Sequence, residues 1–258
     1  MRFRNNFENS KGASLIEILI GAAIGVLVLG AVVSIYIKED KVISRESEET
    51  DIRAKGRHLI KFLAEEVRMA GFGLPPGMGV TDISATDSVT FRSNLFDVRT
   101  TTPPGSAGTT AITSGSNSVT VVDASEFSNG DDIVIYDPSF RVSELNTVSG
   151  SPTSTSLPIG TAAGSDFTYS KNSKLVTINK YNTVILFQDG TAIKKSIDGA
   201  VSTLISDPSI SLLEFTYDAG AAADVTKIGI ALEMVDPDDV TDGVIEFESD
   251  ISLRNSGA

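Results

Sequence analysis

Apolar and polar positions follow three successive patterns along this chain. From Ala13 to Ile37 apolar residues are nearly continuous. No residue from Ile18 to Ile37 is charged, and Ser34 and Tyr36 are the only polar side chains there. Twenty helical residues rise roughly 30 Å, the thickness of a bilayer's hydrocarbon core, so this run predicts a membrane-spanning helix. The run ends at no A-x-A-like cleavage site and exceeds the apolar length of a secretory signal. From Lys38 onward the pattern becomes amphipathic. Ile52, Leu59, Leu63, Val67 and Ala70 fall on one helical face, with Ile60 alongside and charges opposite. Gly56 interrupts this face. Gly71, then Gly73, Pro75 and Pro76, stop the helix. One continuous helix from Ala13 to about Ala70 would run roughly 87 Å.

The third pattern has period two. Leu213, Phe215 and Tyr217 alternate with Glu214 and Thr216. Ile228, Ile230, Leu232 and Met234 repeat it, as do Ile245, Phe247, Ile251 and Leu253 against Glu246, Glu248 and Asp250. These predict a half-buried antiparallel meander, joined by short loops at Ala219–Asp224 and Asp236–Gly243. Its apolar side needs a cover, which the Ile52–Val67 stripe can supply. Upstream, Leu175–Ile178 and Val184–Phe187 read as strands. Asp189-Gly190 is a hairpin signal leading into Ala192–Ile197. Residues 72–170 differ: Ser/Thr/Gly-rich stretches (100–118, 149–156) separate the strand candidates Val89–Arg92, Ser118–Val122 and Asp132–Tyr136. They read as an inserted β subdomain with long loops, a disordered linker being the alternative.

The expected fold class is therefore α+β. A long N-terminal α-helix spine has a transmembrane half (13–37) and an amphipathic half (38–71). It packs on a C-terminal antiparallel β-sheet head (171–258) and carries a β-rich insertion (72–170).

Composition narrows the chemistry. The chain of 258 residues has no cysteine, so disulfides, thiol nucleophiles and thiolate metal sites are excluded. A single histidine, His58, leaves little for hydrolytic or metal chemistry; it reads as a surface or partly packed side chain. No Ser/His/Asp set, metal cluster or phosphate loop is present, so the expectation is a non-enzyme without cofactors. A formal charge of −13 argues against a nucleic-acid partner, which needs clustered Lys and Arg. The acidic run Asp236–Gly243 resembles a calcium loop in composition. Its spacing fails at Val240 and the expected Glu is missing, so a solvated turn is the plainer reading. Gly21 and Gly25 form a GxxxG, readable as a dimer face or as general close helix packing.

Charge also orients the chain. Arg2, Arg4 and Lys11 precede the apolar run, whereas Lys38 and Lys41 behind it are offset by Glu39 and Asp40. Positive residues stay inside, which puts the N-terminus in the cytoplasm and the bulk of the chain outside. One carboxylate, Glu17, lies near the start of the run. A charge at the centre of a spanning helix costs about 2.5–3.5 kcal/mol, less near an end. It is either solvated among headgroups or paired. Lys11 is the only cation within reach on its own helix. A cut after Gly12 would expose an Ala13 amine one helical turn away, able to meet Glu17 of its own chain or of a neighbour.

Lys11-Gly12 followed by Ala13-Ser14-Leu15-Ile16-Glu17 and an apolar run resembles the class III signal of type IV prepilins and pseudopilins. Leu59–Gly73 (LIKFLAEEVRMAGFG) and Phe247–Asn255 (FESDISLRN) resemble minor pilins of the PilW type. The likeness covers residues 11–77 and 210–255, and is not evident in 78–170. Ala13 stands where the family usually has Phe, and the apolar helix lacks the proline common in major pilins. The resemblance implies a leader peptide over residues 1–12, prepilin peptidase cleavage between Gly12 and Ala13, N-methylation of Ala13, and intersubunit charge pairing by Glu17. The leader holds Arg2, Arg4 and Lys11 against Glu8, a net +2, so its loss takes the formal charge from −13 to −15. The implied partners are other minor pilins, the major pilin, the peptidase and an inner-membrane assembly platform. The implied location is the inner membrane with a periplasmic head, then a pilus filament or the cell surface. A J-like type II secretion pseudopilin shares the motif. A signal-anchored periplasmic enzyme or binding protein and an adhesin, with the insertion as its binding module, are the rivals from other classes.

Overall fold

The computed structural model describes residues 15–103, 112, 114–163, 175–237 and 243–254. The fold is α+β. Among the described residues one helix, α1 (Leu15–Val67), is followed by strands alone, apart from a 3-10 turn at Ala222–Asp224. The chain divides between Asp51 and Ile52 into two units. In the first, every described residue is helical and all but Glu49 are exposed. The second holds the end of α1 and all the strands.

The strands are β1 (Val80–Asp82), β2 (Ser88–Ser93), β3 (Arg99–Thr101), β4 (Ser118–Thr120), β5 (Asp132–Asp137), β6 (Val142–Thr147) and β7 (Ser156–Pro158). They continue with β8 (Thr177–Lys180), β9 (Asn182–Asp189), β10 (Ala192–Ile197), β11 (Ala200–Ser206), β12 (Ile210–Tyr217), β13 (Lys227–Met234) and β14 (Ile245–Ser252). Every ladder between them is antiparallel.

The head is built from two sheets and the end of the helix. One sheet has the order β1-β2-β9-β10-β11, the other β12-β13-β14. Ile52, Leu59, Leu63, Ala64 and Val67 of α1 are buried in one cluster with Phe91, Leu186, Leu213, Phe215 and Ile230. Each such side chain contributes about 1.5–3 kcal/mol when fully withdrawn from water, so this stripe dominates the attachment of helix to sheet. Two ion pairs flank it: Lys195 Nζ to Glu66 Oε2 at 2.6 Å and Lys55 Nζ to Asp207 Oδ2 at 3.4 Å. The sheets are joined by the Gln188 side chain, which accepts from Leu213 N and donates to Ser211 O, and by Phe215 N donating to Thr86 O.

The interruption at Gly56 is a packing feature. A Cβ at Gly56 would lie 2.2 Å from Cε2 of Phe247, so the ring of β14 rests directly on helix backbone. The helix ends at Val67, a few residues before the expected stop, and residues 68–73 turn the chain out of it. Gly71 adopts a φ of 74° and Gly73 one of 70°, left-handed values that glycine reaches without penalty. Gly71 N then donates to Arg92 O at 2.8 Å, passing the chain onto β2.

The predicted strands reappear with small shifts. Ala192–Ile197 is β10 as drawn, and Asp189 pairs with Ala192 across a turn at Gly190, φ 62°. Sheet membership, however, divides the chain elsewhere than at residue 170. β1 and β2 lie in the head sheet with β9, while β8 belongs to the insertion. Pairing with a strand about ninety residues away decides this, and no local pattern reports it. The insertion, entered from β2 and left into β9, holds the sheet β3-β8-β5-β6 and the pair β4-β7. It has its own core, in which Val119, Ile133, Ile135, Leu157 and Ile178 are fully buried. That core separates it from a linker. Leu74, Val134 and Tyr181 form a small apolar contact between insertion and head.

Replacing Gly56 by leucine forces the Phe247 ring off the helix. Overpacking of this kind costs about 1–3 kcal/mol. We expect Gly56→Leu to lower the melting temperature of the detergent-solubilised chain, and Phe247→Ala in the same chain to recover part of the loss. An unchanged melt for the single variant would show the ring free to move.

Candidate functional site: an unpartnered apolar helix and its carboxylate

Along α1 the same kinds of side chain meet opposite fates. Leu15 is 78% exposed, Leu27 74% and Ile37 51%, whereas Ile52 is 5% and Leu63 1% exposed. The helix is long and apolar enough to cross a membrane, and none of its most apolar window is buried within the chain. A core helix of a soluble protein of this hydropathy would be covered. Left in water, each large apolar side chain forgoes about 1.5–3 kcal/mol of burial. The surface therefore calls for an apolar environment, lipid or other helices. Apolar side chains surround the whole helix from Ile18 to Ile37, so it has no polar face to turn toward water. Gly21, Gly25 and Gly30 have open space where a Cβ would sit, leaving notches at which another backbone can approach closely.

Glu17 stands exposed in the first described turn of α1. It is the only charged residue between Leu15 and Ile37, and among the described residues it has no ion pair. A carboxylate held at the end of an apolar surface can be solvated by headgroups or can take a cation brought by another helix. Gly12 and Ala13, expected as the cleavage and methylation positions, lie outside the described residues, as does Lys11.

No family model, curated protein or solved structure matches the chain. The reading of this helix rests on its own geometry.

Elsewhere the polar chemistry is structural. His58 is exposed on α1. Of the acidic run at Asp236–Gly243, residues 238–242 lie outside the described residues. Among the described residues, no group of three or more His, Asp or Glu is placed to hold a metal. A cluster that sequence reading missed sits where the insertion leaves the head. The Arg92 guanidinium lies 5.4 Å from the centre of the Tyr181 ring. Burial, with the Asp198 carboxylate nearby, pushes the Asp132 carboxyl up, and burial and Asp132 push the Tyr181 phenol up. Asn182 Nδ2 donates to Asp198 Oδ2 at 2.6 Å, and Lys180 Nζ meets Asp131 Oδ1 at 2.7 Å. Arg92, Asp132, Lys180 and Asn182 lie on β2, β5, β8 and β9, with Asp131, Tyr181 and Asp198 in the links beside strands, and only tertiary structure brings them together. Their arrangement ties two β bodies and presents no nucleophile with its base.

The turn between β12 and β13 is set by Asp218. The Thr226 hydroxyl donates to its carboxylate, as do the N–H groups of Thr226 and Lys227, holding its pKa down at about 2 from an ordinary 3.8. A depressed carboxyl stabilises the fold above the unfolded value, and that contribution disappears as pH falls through the folded one. We therefore expect the chain to lose stability between pH 3.8 and about 2. Asp218→Asn should flatten that loss, as read by thermal melts across the interval. An unaltered pH profile in the variant would refute the assignment.

Proposed function

We propose that this protein is a type IV minor prepilin of the PilW kind. In this reading it is inserted with the N-terminus in the cytoplasm and cleaved after Gly12 by a prepilin peptidase. It is methylated at Ala13 and drawn from the inner membrane into a pilus filament or its initiating complex. One observation carries the reading: a fully exposed apolar helix with a single carboxylate, Glu17, at its end, on a chain whose remainder folds into a covered helix–sheet head. The prepilin-like run Lys11-Gly12 to Glu17 supplies the cleavage register.

The physical logic is one of two solvents. In the bilayer α1 is surrounded by lipid; in a filament it is surrounded by related helices. Transfer between them changes little apolar exposure, so assembly needs a directional attraction and a register. The Ala13 ammonium of one subunit meeting Glu17 of the next provides both. Such a pair adds little net stability after desolvation, but it penalises packing that leaves either charge alone. The chemistry proposed is assembly without catalysis, and the partners are other minor pilins, the major pilin and the assembly platform.

Two measurements test this. Intact-mass and N-terminal analysis of the protein from its host should find a chain starting at methylated Ala13. Retention of Met1 to Gly12, where companion pilins mature normally, overturns the reading. Glu17→Ala should still insert and be processed. Loss of one member of a buried charge pair costs about 2–5 kcal/mol, so its recovery in sheared filaments should fall about tenfold or more. Undiminished recovery would defeat the charge-pairing step.

A further inference from the structure

The second unit carries opposite charge on its two outer faces. On β14 the side chains facing away from α1 are Glu246, Glu248 and Asp250, all exposed, and Glu214 of β12 shares their face. Register places Glu233 directly opposite Glu246, a like-charge pair that destabilises an isolated sheet. The three strands hold a single cation, Lys227. On the same face the central strand carries Lys227, Gly229, Ala231 and Glu233, with the Thr216 and Asp250 side chains lying over Gly229.

Across the layer, the face of α1 turned away from Gly56, Leu63 and Val67 carries Arg57, Lys61 and Arg68, all exposed, with Glu65 among them. Among the described residues, Arg57 and Lys61 take part in no ion pair. The two rows also match in pitch. Residues four apart on a helix are separated by about 6 Å, and residues two apart on a strand by about 6.8 Å.

We infer that the acidic outer face of β12–β14 docks the basic outer face of α1 from a second copy of this chain. The inference deepens the filament reading and rests on it for its setting, in which anchored helices hold neighbouring heads at high local concentration. Because the complementary faces lie on opposite sides of one helix–sheet layer, each copy engages a neighbour with one face and leaves the other open. Such a contact is heterologous and propagates as a row, where a two-fold contact would stop at a dimer. The cations relieve the Glu233–Glu246 repulsion, and salt weakens the contact.

The chain has no cysteine, so introduced ones are unique. Ala54→Cys with Ser252→Cys places one thiol on each face of the full-length, membrane-embedded chain. A bifunctional maleimide should then yield a ladder of dimers, trimers and higher species. Glu246→Lys with Glu248→Lys should cut the ladder about tenfold, and Arg57→Glu with Lys61→Glu should do the same. Mixing the two reversed chains should restore cross-links, now between unlike chains. A ladder indifferent to both reversals, a product confined to dimers, cross-links to other proteins alone, or no restoration on mixing would overturn the inference. Loss of the ladder with normal entry of mature chain into filaments sinks this contact and spares the filament reading. A charge-dependent ladder without filament entry does the reverse.

Discussion

The governing constraint lies in α1, where a surface apolar all round as far as Ile37 gives way to a charged stretch and then, from Ile52, to an apolar stripe. A backbone that is helical throughout satisfies its own hydrogen bonds in any solvent, so one element can serve two environments. What differs is the side-chain surface. The first stretch leaves Leu15 to Ile43 with nothing of its own chain to cover them. The second gives Ile52, Leu59, Leu63 and Val67 to a core shared with two sheets. The head is thus completed by the helix: without the stripe, the buried faces of β2, β9, β12 and β13 would lack part of their cover.

Gly56 is the closest point of that cover. With no Cβ there, the Phe247 ring reaches helix backbone, and β14 is drawn against α1 while its alternate residues face outward as carboxylates. Packing on one side of the strand thereby fixes the position of charge on the other. The outward acids of β12–β14 and the outward cations of α1 follow from one registration of helix on sheet. That gives the head a sense of direction, useful to any subunit that must meet its neighbours in order.

The insertion follows a different economy. Its Ser, Thr and Gly content supplies turns, but Ile133, Ile135, Leu157 and Ile178 still build a core of their own. It joins the head at Leu74, Val134 and Tyr181 and through the charged cluster of Arg92, Asp132 and Asp198. An independently cored body on a two-strand neck can vary its surface without disturbing the helix–sheet contact.

Local patterning determined a good deal of this. An apolar run of spanning length, a stripe of period near 3.6 and three alternating strands each report a local environment, since side-chain direction follows backbone period. The helix, its end to within a few residues, the meander β12–β14 and the hairpin at Asp189-Gly190 were legible for that reason. Glu17 stood out because a carboxylate beside an uncharged apolar run is costly unless headgroups or a cation meet it. Tertiary structure alone decided the rest. β2, with β1 beside it, pairs into the head across an insertion of about ninety residues, Gly56 serves as a seat for an aromatic ring, and Arg92, Asp132, Tyr181 and Asp198 meet at the neck. These are contacts between residues far apart in the chain. Their energy depends on which surfaces meet, and a one-dimensional pattern records only how each surface is disposed toward water.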